Sequence, residues 1–401
     1  MEEKNIGSLY ATSQRLIRLT NTTFKRYLTH TIDWDSHLIA IKGQRGVGKT
    51  TMLLQHIKER FGTDTTALYI SLDNFWFMSH SLTDIVEYHY NHGGTHIFID
   101  EVHKYNHWQT LIKNMADEYP DLHIVYTGSS MLKIDYNEGD LSRRQVVYTL
   151  NGMSFREFLD FEGVVTVNPL PLDTILSNHS DICSDICSDT KILPLFDKYL
   201  RYGYYPFYKK DTAGFEMRLQ AVVRQILNED MPTVEEVTYP TIQKISKMLM
   251  ILSERVPQTP NMTELYREIE TNREQGLRML NILERAGLIT LLHRNIRNFG
   301  QLSKPDKILP GNPTLMYALS PEINKGTLRE TFFYNQLSTV GNVTLPSKGD
   351  FLINNKYLFE VGGKNKTFNQ IKDVADSFLA VDDIETGHHN KIPLWAFGLL
   401  Y

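Results

Sequence analysis

Along its first 150 residues the chain alternates short apolar runs with longer amphipathic stretches. The apolar runs at 37–42, 66–71, 95–100, 122–127 and 145–150 have the length and continuity of strands buried on both faces. Between them, the stretches 50–60, 82–91 and 107–118 space their apolar residues as helices do. Strand and helix in alternation predict an α/β fold, a parallel sheet covered on both faces. Ser154 and Glu157 then carry the signature of a capping box that opens a further helix.

Farther along, the pattern changes. A Ser-Asp-Ile-Cys repeat at 180–189 reads as a solvated linker, and 195–208 and 215–231 read as helices. Tyr202, Tyr204, Tyr205 and Tyr208 cluster in the first of these, where helix packing around Pro206 suits them better than stacking on bases. Three amphipathic helices are expected at 242–255, 262–269 and 273–286, followed by a strand-like 288–292, which together read as a winged helix. Leu277, Leu280 and Leu283 then face its core, and Arg278, Asn281 and Arg285 lie on another face. The last segment reads as helix 328–337, strands 342–345, 350–353 and 357–361, helix 368–379 and strand 392–399, with 354–356 as a hairpin turn.

Composition narrows the function classes. A formal charge of -5 over 401 residues leaves no nucleic-acid footprint on the whole molecule, so any DNA role must be local. The segment 241–300 carries nine Lys/Arg against six Asp/Glu, a modest basic excess, and packing or protein docking explains it as well as a groove reader does. With two cysteines, Cys183 and Cys187, neither a disulfide framework nor a four-ligand zinc site is available. The first residues lack an apolar core and no run of about 18 apolar residues occurs, so a cytoplasmic protein without membrane contact is expected.

Candidate chemistry concentrates at the ends of the predicted strands. Gly43-Gln44-Arg45-Gly46-Val47-Gly48-Lys49-Thr50 joins a strand to a helix, as a nucleotide phosphate cradle does. Its glycines permit the tight turn that points successive N–H groups at phosphate oxygens. Gly43, Gly46, Val47, Gly48, Lys49, Thr50 and Thr51 are therefore the expected ATP-binding residues. Lys49 reaches the β- and γ-phosphates, and Thr50 with Asp100 holds Mg²⁺. Glu101, beside Asp100, is placed to polarise the attacking water, which favours hydrolysis over transfer to a small acceptor. Thr127 or Ser129 is placed to sense the γ-phosphate, with a serine-rich turn as the alternative. Arg143, ranked above Arg144, is placed to neutralise transition-state charge in cis or in trans, against a plain surface pair. His89, His92, His96, His103 and His107 straddle a helix, a strand and a loop, and are assigned no role.

Gly43 to Thr50, Phe98 to Lys104, Thr127 to Ser130 and Ser154 to Phe158 resemble one group of P-loop ATPases. It is the prokaryotic AAA-type group of ATP-binding proteins with a C-terminal domain of uncharacterised function. Tyr199 to Pro206 and Lys304 to Ile308 are also similar to it, so the likeness covers most of the chain. The resemblance implies an additional-strand sheet of order 5-1-4-3-2, with the strand at 122–127 between the phosphate-loop and acidic strands.

The order of the last segment resembles the core of PD-(D/E)xK nucleases. That resemblance implies Mg²⁺ binding by Asp350 and Glu360, with Lys364 and Glu330 as further members. The family places its lysine two residues after the second acid, whereas Gly362 and Gly363 push Lys364 farther along the chain. A nuclease-shaped module without chemistry is the expectation, and a glycine bulge that restores the geometry is the alternative.

The expected layout is a P-loop ATPase core at 1–165, a linker at 166–190, a helical lid at 191–240, a winged-helix-like region at 241–300 and a PD-(D/E)xK-like α/β domain at 301–401. The expected function is Mg-ATP hydrolysis coupled to the C-terminal modules. The alternatives are an ATP-gated DNA nuclease or defence protein, and a nucleotide-dependent scaffold acting on a protein partner or on its own oligomer.

Overall fold

The computed structural model describes residues 3–129, 141, 144–235, 237–255, 261–294 and 304–401. The chain divides into two compact units, one of residues 1–151 and 229–236, the other of 152–228 and 237–401.

The first unit begins with helix α1 (Glu3–Leu19) and continues through β1 (Leu38–Gly43), α2 (Lys49–Arg60), β2 (Ala67–Ser71), α3 (Leu82–Asn91), β3 (His96–Asp100), α4 (Trp108–Glu118), β4 (His123–Ser129) and β5 (Val146–Thr149). From β1 to β5 these boundaries fall within two residues of the predicted ones, and α1 is not among the predicted elements. The five strands are parallel, in the order β2-β3-β4-β1-β5. That is the implied additional-strand order, with β4 inserted between the phosphate-loop strand and the acidic strand. The central strands are buried on both faces, so their apolar runs show no alternation. Register aligns Ser71 with Asp100 and Gly43 with Ser129, so the phosphate-loop glycine and the polar ends of three other strands share one edge of the sheet.

The second unit starts with α5 (Phe155–Glu162), α6 (Leu172–Asp189), α7 (Ile192–Lys198) and α8 (Phe215–Gln225). Ser154 and Glu157 close the predicted capping box on α5. This helix, placed by sequence with the ATPase core, clusters in the second unit. Phe155 packs on Phe196, Tyr199 and Trp395, and the Ser154 hydroxyl donates to the Tyr401 carbonyl at 2.6 Å. The repeat read as a solvated linker is the end of α6. Ile175, His179 and Cys183 recur every four residues and bury one face of it, which outweighs the polar composition. Tyr204, Tyr205 and Tyr208 are buried, as the packing reading expects.

After the helical turn α9 (Met231–Val234), which belongs to the first unit, come α10 (Tyr239–Arg255), α11 (Met262–Glu268) and α12 (Arg273–Arg285). β6 (Ile289–Leu292) and β7 (Lys307–Pro310) then form an antiparallel pair. Leu277, Leu280 and Leu283 are buried and Arg278 is exposed.

α13 (Pro313–Leu319) and α14 (Lys325–Leu337) lead into β8 (Val343–Thr344), β9 (Phe351–Ile353), β10 (Tyr357–Gly362), β11 (Ser377–Val381) and β12 (Lys391–Pro393). These strands form one sheet in the order β12-β11-β10-β9-β8. Asn354 and Asn355 take φ of 51° and 55° in the β9–β10 turn, the left-handed geometry of a tight hairpin. Two expectations fail here. The helix expected at 368–379 is a short 3₁₀ turn followed by β11, because all five residues of the run Ser377 to Val381 are buried as an inner parallel strand. The strand expected at 392–399 ends at Pro393, which has no N–H to extend a ladder, and Leu394–Leu399 continues as a buried 3₁₀ turn. Among the described residues no helix is long and apolar enough to cross a membrane.

Candidate nucleotide site and a second acidic cluster

The phosphate-loop motif occupies the turn from β1 to α2. Gly46 and Gly48 take φ of 87° and 104°, which a side chain would strain, and Gly48 caps α2 without a side-chain acceptor. The first N–H groups of α2 are thus not taken by a side-chain cap, as an anion cradle requires. Val47 is buried beneath the loop, and its carbonyl accepts from the guanidinium of Arg26, which also donates to the Asn151 carbonyl at 2.7 Å. Lys49 is buried and its ammonium donates to the carbonyls of Gly43 and Gln44 at 2.8 and 3.1 Å. Thr51 is exposed in the first turn of the helix.

Asp100, buried at the end of β3, is the hub of the site. It accepts from Thr50 Oγ1 at 2.6 Å, from the Tyr69 hydroxyl at 2.9 Å and from Thr127 Oγ1. Thr127 Oγ1 also accepts the Glu101 N–H at 3.2 Å. Glu101 itself sits at φ 58°, a left-handed conformation that costs a glutamate about 1 kcal/mol or more. One threonine thereby fixes both acids, the first by its side chain and the second by its backbone. Burial, reinforced by the neighbouring Asp100 charge, pushes the Tyr69 hydroxyl far above its ordinary value, so it remains a donor.

Beyond Glu101, the His103 Nε2 stands 3.4 Å from Glu101 Oε2 and 3.6 Å from Asp230 Oδ1. Asp230 belongs to the segment 229–236 and also takes the Arg45 guanidinium at 2.9 and 3.2 Å. Ser129 is buried at the end of β4, where it aligns with Gly43. Arg143, ranked first for charge neutralisation, lies outside the described residues. Arg144 is half exposed and pairs with Asp117 of α4.

Sequence reading missed Arg26, Tyr69, His103 and Asp230. Tyr69 carries a weak signal, a hydroxyl in a strand otherwise apolar. Arg26 and Asp230 have none, because the partners of their guanidinium and carboxylate lie 21 and 185 residues away, and His103 stands among the histidines assigned no role.

The second unit holds the residues expected for a nuclease-like site. Asp350 precedes β9 and its carboxylate accepts the Val361 N–H at 2.7 Å. Glu360, buried in the middle of β10, pairs with Lys366 at 2.6 Å, and Gln370 donates to both its oxygens at 2.7 and 3.2 Å with its amide nitrogen turned inward. The lysine at Glu360 is therefore Lys366, and Lys364 is exposed. Gly362 makes this work, since a Cβ there would meet the Lys366 Cδ at 2.6 Å. Glu330 of α14 pairs with Lys307 at 2.7 Å, yet burial and the nearby Asp350 charge outweigh that partner and raise its pKa. Among the described residues no three His, Cys, Asp or Glu side chains converge to hold a metal ion.

Residues 35–159 match the family described as an AAA domain, and residues 193–325 match a domain of unknown function (DUF8612). An uncharacterized protein of Methanocaldococcus jannaschii, MJ1637, is 26% identical over 265 residues, which cover 63% of this chain and 56% of that protein. The chain thus spans little more than half the length of this curated relative. Among solved structures, a signal transduction ATPase with numerous domains and a tetratricopeptide repeat sensor from Pyrococcus horikoshii is 14% identical, with a TM-score of 0.29 over 80% of this chain and 45% of that one. AMPPCP-bound DnaA from Aquifex aeolicus is 16% identical, with a TM-score of 0.26 over 64% of this chain and 84% of that one. Such scores add nothing to what the sheet order and the loop already say. Residues 35–159 thus match the AAA domain, and the order of their five-stranded parallel sheet is that of the P-loop AAA-type fold.

Proposed function

We propose that the chain is a cytoplasmic, Mg²⁺-dependent ATPase whose nucleotide cycle is coupled to its C-terminal modules. The observation that carries this reading is the hydroxyl-bound Asp100, joined to Thr50 of the phosphate loop at 2.6 Å and linked through Thr127 to Glu101. A hydroxyl and a carboxylate are the hard oxygen donors that suit Mg²⁺, so Thr50 and Asp100 would hold the ion, which supplies charge neutralisation at the phosphates. Backbone N–H groups from Gly43 to Thr51 bind the phosphates of ATP, and Lys49 offers its ammonium to the β- and γ-oxygens. Glu101 accepts the proton of the attacking water. Thr127 holds both acids in place, and Arg143 neutralises charge as it develops.

In this reading the residues 191–240 act as a lid, 241–300 as a winged helix and 301–401 as a nuclease-like module. DNA is one partner for α10 to α12, with Arg278 exposed and Leu277, Leu280 and Leu283 buried, and a protein is the other. Steady-state ATP turnover, measured with and without duplex DNA at low salt, tests both parts. Mg²⁺-dependent turnover supports the ATPase, and its absence overturns it. Stimulation by DNA supports coupling to the C-terminal modules; unaffected turnover redirects the coupling to a protein partner or to self-association.

A second reading, DNA cleavage by the second unit, rests on Asp350, just before β9, and Glu360 of the adjacent β10, with Lys366 having to release Glu360 for a metal to bind. Mn²⁺-dependent nicking of a plasmid that disappears in Asp350→Ala supports it. Intact plasmid leaves the module as a fold without chemistry.

A further inference from the structure

Asp230 lies far from every motif in the sequence, yet it meets both halves of the nucleotide site. Its side chain is 2% exposed. Burial alone would raise its pKa, but the imidazole of His103 and the charges of Arg45 and Lys104 outweigh burial and hold it below the ordinary aspartate value. The carboxylate binds Arg45, between Gln44 and Gly46 of the phosphate loop, at 2.9 and 3.2 Å. Its Oδ1 also faces Lys104 at 3.5 Å and His103 Nε2 at 3.6 Å.

His103 is the informative neighbour. It is buried, and neither ring nitrogen makes a hydrogen bond among the described residues. A buried imidazole without hydrogen bonds is costly, and such groups in native proteins call for an explanation. Here Nε2 stands between two carboxylates, Glu101 at 3.4 Å and Asp230 at 3.6 Å. Asp230 is thus one imidazole away from the residue that faces the attacking water, and one guanidinium away from the loop that faces the phosphates.

The chain path gives this contact a second meaning. Residues 229–236 belong to the first unit while the residues before and after them belong to the second. The chain thus enters the first unit a second time through the segment that carries Asp230.

We propose that Asp230 is a positioning residue for ATP hydrolysis, setting Glu101 through His103 and the phosphate loop through Arg45. The inference rests on the ATPase reading above. In the full chain, Asp230→Asn is expected to keep ATP affinity within about threefold in calorimetry and to lower kcat at least tenfold. Asp230→Glu, which retains the charge, should recover part of the loss. Arg45→Gln should lower kcat as well, and the double variant should be no slower than Asp230→Asn, since the two residues act as a unit. If Asp230→Asn fails to fold, Arg45→Gln and His103→Gln must carry the test, with kcat falling and affinity kept. Unchanged kcat in Asp230→Asn overturns the inference while leaving the ATPase reading intact. So do losses in kcat that simply multiply in the double variant, or affinity and kcat falling together. Absence of turnover in the wild type overturns the ATPase reading and the inference with it.

Discussion

The chain contains two sites built from the same materials, a buried acid on a strand and a lysine close by, and they are wired in opposite ways. In the first unit the lysine bonds backbone carbonyls, and Asp100 is held by three hydroxyls, those of Thr50, Tyr69 and Thr127. In the second unit the two glutamates of the nuclease-like cluster each have a lysine, Lys366 for Glu360 and Lys307 for Glu330. Hydroxyls orient a carboxylate without setting a cation beside it. A lysine neutralises its partner, and a metal at Glu360 would have to compete with it. The comparison explains why the first site reads as a working centre and the second as one whose chemistry depends on breaking an ion pair.

The comparison breaks most sharply at Glu101. Replacing it with Gln should leave ATP binding intact and lower turnover by about 10²–10⁴, the range of a lost general base. Unchanged turnover in a coupled assay would remove that role. Lys49→Ala should weaken ATP binding by about 100-fold, the loss of charge-assisted contacts to phosphate, and wild-type affinity in calorimetry would misplace the site.

In the second unit, Lys366→Met leaves the buried Glu360 without its cation. Thermal unfolding should show a loss of about 1–3 kcal/mol, and an unchanged melting temperature would mean the pair is not structural. Tyr69→Phe removes one of three hydroxyls from Asp100. A fall in turnover of about two- to tenfold, read together with a higher Mg²⁺ requirement, would sharpen the hydroxyl-shell argument. An effect smaller than twofold would leave Thr50 and Thr127 as the sufficient pair.

The smallest expected effect is a slope. Because Glu330 has a raised pKa in the folded protein, it holds its proton there at pH values where the unfolded chain has lost it. The folded state therefore binds more protons in that window, and stability falls as pH rises from the ordinary glutamate value through the raised one. Glu330→Gln should flatten that part of the stability curve, and a slope equal to wild type would place the titration elsewhere.

Much of the first unit is legible in the chain because its signals are local. A buried parallel strand must be apolar along its whole length, and a loop that wraps phosphate must be glycine-rich within eight residues, so 37–42 and Gly43 to Thr50 announce themselves. The second unit is less legible for the same reason. Ser377 to Val381 is a short apolar run of a length that strand and helix share, and only its place beside β10 makes it a strand. The repeat around Cys183 looks solvated by composition, and the apolar surface that claims one face of α6 cannot be seen from the repeat itself.

The sequence alone determined the α/β class, the phosphate loop, the acidic pair at Asp100 and Glu101 and the turn at Asn354 and Asn355, since each depends on residues within one element or one turn. Tertiary structure decided which groups complete those motifs. Lys366 rather than Lys364 reaches Glu360 because Gly362 leaves room for its side chain to fold back. Tyr69 meets Asp100 because β2 and β3 are neighbours, and Asp230 meets Arg45 because the chain returns to the first unit 185 residues later. Charge and hydrogen bonding act over a few ångströms of space, whatever the separation along the chain, and no local pattern encodes such a meeting.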